Sequence, residues 1–259
     1  MGNIFDHIRN LGAKLLRTSL GVRIEVQRQR HFKWPGEDNR FDYQKHYVKF
    51  DIQSDDQVLD IGSGGYPFPS ATVLTDRFLE NSPYRSELLV RDNKPFLLSD
   101  IHELPFRDKG FDFVYCAHVL EVVTNPLGAC AEIMRVGKRG FIETPTAGKD
   151  MLFAWARNLQ KWHVVDIGRN LCFFEYSERQ LDGIRSPIWR DLIRSEWCNP
   201  FQEIFYKNQD IFNVMFTWEN QFSVFVFRLD GTVQALNADV ETCPPLARLS
   251  HSQCSQLTP

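Results

Sequence analysis

Hydrophobic and polar positions from residue 58 onward fall into short apolar blocks, and several of these close on an acid or a glycine. Val58-Leu-Asp-Ile-Gly-Ser-Gly-Gly65 is the sharpest of them, an apolar strand that runs into a glycine turn. Ala71–Asp76, Pro95–Asp100, Gly110–Cys116 and Arg139–Glu143 repeat the pattern and predict four further strands. Strands apolar on both faces belong inside a parallel sheet covered on its two sides. Near the other end, Ile211–Thr217 and Phe222–Arg228 flank a Trp218-Glu-Asn-Gln turn and predict an antiparallel hairpin that closes this sheet. Lys161-Trp-His-Val-Val and Leu171-Cys-Phe-Phe-Glu, around the turn Ile167–Asn170, predict a second hairpin, followed by a helix over Ser177–Ile184. The segment holding them, 146–210, is dense in aromatic residues, among them Trp155, Trp162, Phe173, Phe174, Tyr176, Trp189 and Trp197. It reads either as a cap over a ligand pocket or as a subdomain whose aromatics fill its own core.

The strand ends carry the candidate chemistry. In open α/β sheets, ligands bind beyond the carboxyl ends of the strands. Three successive strand ends here bear Asp60, Asp76 and Asp100. Carboxylates in that position suit the vicinal hydroxyls of a ribose and the amino group of an adenine. Gly62 and Gly64 let the backbone approach a ligand that a Cβ would exclude. Asp60 is placed either to order the glycine loop or to meet a cation. A dinucleotide fingerprint wants a third glycine three residues after Gly64, under a pyrophosphate, and that place holds Pro67. The pattern therefore favours a nucleoside cofactor without phosphates. Between Asp60 and Asp76 there is room for barely one helical turn, less than the roughly ten residues of a normal crossover. Either that crossover is a stub, or the ribose acid is Glu80 or Asp92.

Together these motifs resemble the class I S-adenosylmethionine-dependent methyltransferases, in particular the type 11 group. The matching text is Val58-Leu-Asp-Ile-Gly-Ser-Gly64, Asp100-Ile-His-Glu-Leu-Pro-Phe106, Phe111-Asp-Phe-Val-Tyr-Cys-Ala-His-Val-Leu-Glu121 and Glu132-Ile-Met-Arg-Val-Gly137. The resemblance implies a Rossmann-like, mostly parallel sheet and S-adenosyl-L-methionine as cofactor. It implies that Asp60, Gly62, Ser63 and Gly64 bind the cofactor, with Gly62 and Gly64 facing its methionine part. Asp76 would take the ribose, Asp100 and Ile101 would frame the adenine, and Cys116, Ala117 and His118 would line the methyl-transfer side. The family often has a histidine directly after the position of Glu121, where this chain has Val122. A base is useful where the methyl acceptor is an oxygen or nitrogen nucleophile. His118 is the best-placed candidate, His163 in the expected cap the second, and Glu143 is a further polar group able to touch substrate.

Composition narrows the setting. With 259 residues and 43% hydrophobic content the chain can bury one large domain. The expected organisation is a helical region over 1–44, a cofactor-binding domain over 45–230 containing the cap, and a flexible tail over 231–259. A net charge of −3 offers no field for nucleic acid, and no apolar run reaches the roughly twenty residues of a membrane span. Six cysteines without a C-x-x-C suggest neither a metal site nor a disulfide framework, and point to a reducing, cytoplasmic setting. Residues 4–20 carry a helical apolar stripe interspersed with Arg9, Lys14 and Arg17. Such a stripe suits packing on the domain or peripheral contact with a membrane. The acceptor class expected is a small molecule or sugar. The competing readings are a nicotinamide-dependent oxidoreductase, which Pro67 disfavours, and a binding protein that keeps the fold without turnover.

Overall fold

The computed structural model describes residues 40–80, 82–85, 88–153, 159–186 and 200–244. The predicted helix over 4–20, the aromatic residues Trp155, Trp189 and Trp197, and the last fifteen residues lie outside them.

The main sheet has six strands in the order β3-β2-β1-β4-β5-β8. These are β1 (Val58–Ile61), β2 (Val73–Asp76), β3 (Phe96–Leu98), β4 (Phe111–Ala117), β5 (Gly137–Pro145) and, further along, β8 (Asn213–Glu219). The first five run parallel and β8 lies antiparallel on β5. Between β1 and β2, and again between β2 and β3, the described connections contain no helix. The stub crossover is therefore real, and loops cover this half of the sheet. On one face, helix α1 (Arg40–Tyr47) presses Phe41 into a cluster with Phe68, Phe113, Tyr115 and Phe141. Phe68 stacks parallel on Tyr115 at 4.2 Å between ring centroids, so the loop after the glycine turn supplies core that a crossover helix would otherwise provide. On the other face lies helix α2 (Pro126–Val136), which starts at an Asn125 cap followed by proline and buries Ala129, Cys130, Ile133 and Met134.

The expected C-terminal hairpin divides. β8 takes the sheet edge, but β9 (Ser223–Phe227) leaves it for a second sheet of order β10-β9-β7-β6. That sheet also holds β6 (Trp162–Ile167), β7 (Asn170–Glu175) and β10 (Val233–Leu236). The reason is burial. Val224, Phe225, Val226 and Phe227 are all shut off from solvent, which an inner strand allows and an exposed edge does not. Asn220, in the left-handed region, ends the pairing and donates its N–H to the Lys138 carbonyl oxygen at 2.7 Å.

The predicted hairpin over 161–175 forms as expected. Its two-residue turn is Gly168-Arg169, with φ of 61° and 64°, the conformation that matches the twist of paired strands. It does not cap the pocket. Leu171, Phe173, Val224 and Val226 turn towards α2 and the main sheet, while Cys172, Phe174, Phe225 and Phe227 pack with Cys243 on the far side. The aromatics of this hairpin fill a core between two sheets, as the subdomain reading anticipated. Val233–Leu236, within the expected flexible tail, forms an outer strand of this sheet, and Cys243 is buried beside it. Four short helices, α3 (Ala147–Phe153), α4 (Glu178–Ile184), α5 (Pro200–Lys207) and α6 (Gln209–Phe212), complete the described part. No helix among the described residues is long and apolar enough to cross a membrane.

Candidate active site

A cleft of about 170 Å³ opens beyond the carboxyl ends of β1, β2 and β4. The glycine turn forms its floor. Gly62 and Gly64 have φ of 71° and 57°, and a Cβ on Gly62 would run into the Val119 side chain. The N–H groups of Gly62 and Ser63 both donate to the Thr75 carbonyl, at 2.8 and 3.0 Å, which joins the turn to the end of β2.

Of the residues singled out in the sequence, Gly62, Ser63, Gly64, Asp76, Asp100, Ile101, Ala117 and His118 line this cleft. Asp60 does not. It stands one layer behind and accepts the Phe68 N–H at 2.7 Å, so it orders the loop, with the Arg40 charge nearby. Burial lifts its pKa to about 6, against the pull of Arg40 and that N–H. Cys116 points into the core, where burial pushes its thiol well up, and it does not line the cleft. Of the ribose-acid alternatives, Asp76 lines the cleft and Glu80 and Asp92 do not. His163 is on β6, stacked over Tyr176 at 6.0 Å, outside the cleft.

Each cleft acid carries built-in partners. Asp76 accepts from the N–H groups of Gly64 and Phe78 at 3.1 and 2.9 Å and pairs with Arg85 at 3.3 Å. Arg85 also donates to the carbonyls of Phe78 and Glu80, and so ties the 78–85 loop across the missing crossover helix. Asp100 accepts from the His102 backbone at 3.0 Å and its ring at 2.6 Å, and pairs with Arg77 at 3.2 Å. Partial burial would raise its pKa, but those donors hold it below the ordinary value.

His118 follows β4 in the left-handed conformation, φ 58°, which a non-glycine residue adopts at a cost of about 1–2 kcal/mol. Its N–H donates to the Glu143 carbonyl at 2.8 Å. Its Nε2 lies 2.9 Å from Glu143 Oε1 and 3.2 Å from Lys149 Nζ, and its Nδ1 lies 3.6 Å from Glu121 Oε1. Glu143, read from the sequence as a polar group able to touch substrate, is fully buried and is not among the residues that line the cleft. Tyr43 and Gln44 of α1 donate to it at 2.7 and 2.9 Å. Burial works against its ionisation, but the hydrogen bond and charge of His118, the charge of Lys149 and the Tyr43 hydroxyl outweigh it and hold the pKa at about 2.

Sequence reasoning missed Arg40, Tyr66, Arg77, Arg85 and His102 at the cleft. Only His102, inside the quoted Asp100–Phe106 motif, had a positional signal. The hairpin's contribution was also unforeseen: Trp162 Nε1 donates to the Val123 carbonyl at 2.7 Å and Lys161 N–H to that of Glu121 at 2.9 Å, bracing the cleft wall from behind.

The cleft suits a nucleoside with an amino-acid arm. Ile61, Ile101, Val119, Val122 and Val123 offer apolar walls, and Asp76 and Asp100 offer acceptors. Buried atoms of Ser63, Ser99, Arg40 and His102 face no protein partner and leave donors and acceptors for a ligand. Among the described residues, no group of histidine, cysteine and acidic side chains is arranged to hold a metal ion.

No curated protein matches the chain by sequence. Among solved structures, a chain of the Haloferax volcanii complex between the Trm112 methyltransferase activator and a methyltransferase is similar at 14% identity. That overlap covers 72% of this chain and 92% of the other, with a TM-score of 0.45. An S-adenosylmethionine-dependent methyltransferase from Aquifex aeolicus is similar at 23% identity over 44% of this chain and 69% of its own, TM-score 0.34. One from Thermotoga maritima reaches 18% over 56% and 62%, TM-score 0.34. Those overlaps are partial, and the weight falls on the family match: residues 59–142, from β1 through most of β5, fit the model of the type 11 methyltransferase domain. Over that segment, about a third of the chain, the protein is similar to the methyltransferase domain of this family.

Proposed function

We propose that this enzyme transfers a methyl group from S-adenosylmethionine to an oxygen or nitrogen nucleophile of a small molecule or sugar. The observation that carries the reading is the convergence of the Gly62–Gly64 turn, Asp76, Asp100 and His118 on one cleft. When bound, the cofactor supplies a methyl group already activated on a sulfonium centre. The chain's own task is then orientation and proton handling. Gly62, Ser63 and Gly64 hold the amino-acid arm, Asp76 the ribose, and Asp100 with Ile101 the adenine. Arg85 fixes Asp76 in place and Arg77 fixes Asp100. Ala117 and His118 stand at the acceptor side, with His118 as the base. The narrow wall of Val119, Val122 and Val123 favours a small acceptor over a polymer.

Calorimetric titration with S-adenosylhomocysteine, with NADH in parallel, tests the cofactor half of this reading. Micromolar binding of the first and none of the second is expected, and Gly62→Arg should abolish it without unfolding the chain. Binding of NADH alone would overturn it. A screen of sugar, amine and hydroxyl acceptors with labelled cofactor tests the other half.

A further inference from the structure

The polar cluster behind His118 is more elaborate than a structural hydrogen bond needs. It brings the imidazole together with Glu143 from β5, Glu121 from the 3-10 turn over Leu120–Val122, and Lys149 from α3, while Arg40 and Tyr43 of α1 contribute charge and a hydroxyl around Glu143. Two placements of the ring proton compete. If Nε2 were bare, its lone pair would lie 2.9 Å from Glu143 Oε1, an oxygen that already accepts from Tyr43. Such a contact is repulsive unless a proton lies between. Lys149 has another acceptor available, the side-chain oxygen of Asn213, so it does not need the imidazole lone pair. The remaining nitrogen, Nδ1, makes no hydrogen bond among the described residues; its nearest acid oxygen there, on Glu121, is 3.6 Å away, and the other oxygen of Glu121 is buried without a partner among them. A histidine held at positive φ, with one nitrogen bonded and the other free beside a cleft, is arranged for use rather than for stability.

We infer that Glu143 is a positioning residue that keeps the His118 proton on Nε2, leaving Nδ1 as the proton acceptor for the methyl acceptor in the cleft. The inference rests on the methyl-transfer reading above. In the step it serves, a lone pair of the acceptor heteroatom forms the new bond to the methyl carbon, and the carbon–sulfur bonding pair returns to sulfur. The proton on that heteroatom passes to Nδ1. The ring so protonated lies between Glu143, 2.9 Å from Nε2, and Glu121, 3.6 Å from Nδ1, with Lys149 3.2 Å from Nε2. The logic is that of a carboxylate that selects a histidine tautomer, with glutamate in that part.

The test is nitrogen NMR on the full chain carrying ¹⁵N-labelled histidine, with His118 assigned by the signal lost in His118→Gln. The wild type should show Nε2 protonated and Nδ1 bare, and Glu143→Gln should lose that preference. Should Glu143→Gln fail to fold, Lys149→Met decides: the tautomer should persist without the amine. A proton on Nδ1 in the wild type would overturn the inference, because Nε2 would then be the acceptor with Lys149 as its donor; a tautomer that switches in Lys149→Met would overturn it as well, because Lys149 rather than Glu143 would then set it. S-adenosylhomocysteine should move the Nδ1 signal and leave Nε2 nearly in place; a bound ligand that moves neither would also overturn it. Calorimetry on the same sample keeps the two readings apart. A chain that binds no S-adenosylhomocysteine refutes the cofactor reading, while the tautomer still decides the part played by Glu143.

Discussion

Asp60 and Glu143 are both shut off from solvent near the carboxyl ends of strands in one sheet, with exposures of 1% and 0%, yet they settle at opposite ends of the acid range. Among the described residues Asp60 has one hydrogen-bond donor, the Phe68 N–H, and its other oxygen has no partner. Burial dominates and lifts its pKa to about 6. Glu143 suffers the same burial, but Tyr43, Gln44 and His118 donate to it, and it stays ionised down to about pH 2. The difference teaches that burial sets only the starting cost of a charge. The donors aimed at the carboxylate decide whether it keeps the charge. It also separates two tasks. Asp60 holds a loop, which needs one good acceptor; Glu143 orients a histidine, which needs a fixed anion.

The comparison breaks most visibly at Glu143. Glu143→Ala leaves the buried Tyr43 and Gln44, and the half-buried His118, without this acceptor, and should cost about 3–5 kcal/mol, read as a fall in the urea midpoint. Asp60→Asn keeps an oxygen for the Phe68 N–H and should change the midpoint at neutral pH far less. A loss at Asp60 as large as that at Glu143 would mean that the Arg40 charge matters more there than the hydrogen bond.

Stability against pH sharpens the contrast, because the two acids act with opposite sign. Between its ordinary 3.8 and about 6, Asp60 holds a proton in the folded chain that the unfolded chain has shed. Stability therefore falls as pH rises through that window, by about 3 kcal/mol at ~1.4 kcal/mol per pH unit. Glu143 is the reverse: its contribution is complete above its ordinary 4.5 and disappears as pH drops towards 2, again about 3 kcal/mol. Asp150, which burial raises to about 8, adds a slope of the same sign as Asp60, so the Asp60 limb is read as wild type minus Asp60→Asn. Urea midpoints from pH 3 to 8 should show that difference confined to pH 4–6. A flat difference would mean that Asp60 titrates normally.

The same contrast explains what the sequence made legible. The strands, the glycine turn and the cleft-lining acids of β2 and β3 follow from local pattern: apolar runs, φ-tolerant glycines and strand-terminal carboxylates each depend on a few neighbouring residues. That Asp60 would order its loop or meet a cation was readable for the same reason. The partners of Glu143 were not. Tyr43 and Gln44 lie about a hundred residues away, at the edge of what reads as a separate N-terminal region, and only the packing of α1 on the sheet brings them there. Arg85 belongs to the same class, a long-range staple in a segment with no periodicity. The split of β8 from β9 escaped detection because a two-residue-period pattern predicts a strand and says nothing of which sheet receives it.

The smallest expected effect is the most discriminating. Tyr43 donates to the same oxygen of Glu143 that faces His118 Nε2, so Tyr43→Phe removes one donor and leaves the carboxylate and the imidazole in place. The direct cost should be about 1 kcal/mol in the urea midpoint at pH 7. With one donor fewer, the pKa of Glu143 rises from about 2 towards its ordinary value, so the acid limb of the stability profile still opens near 4.5 but ends at higher pH, with a smaller total drop. The variant moves Glu143 one step towards the condition of Asp60 without adding solvent. If the limb shifts while the His118 tautomer persists, donor count sets the charge and the bond to histidine survives on the remaining contacts. If the limb does not move, His118 and Lys149 alone hold the anion, and Tyr43 serves only to pack α1 against the sheet.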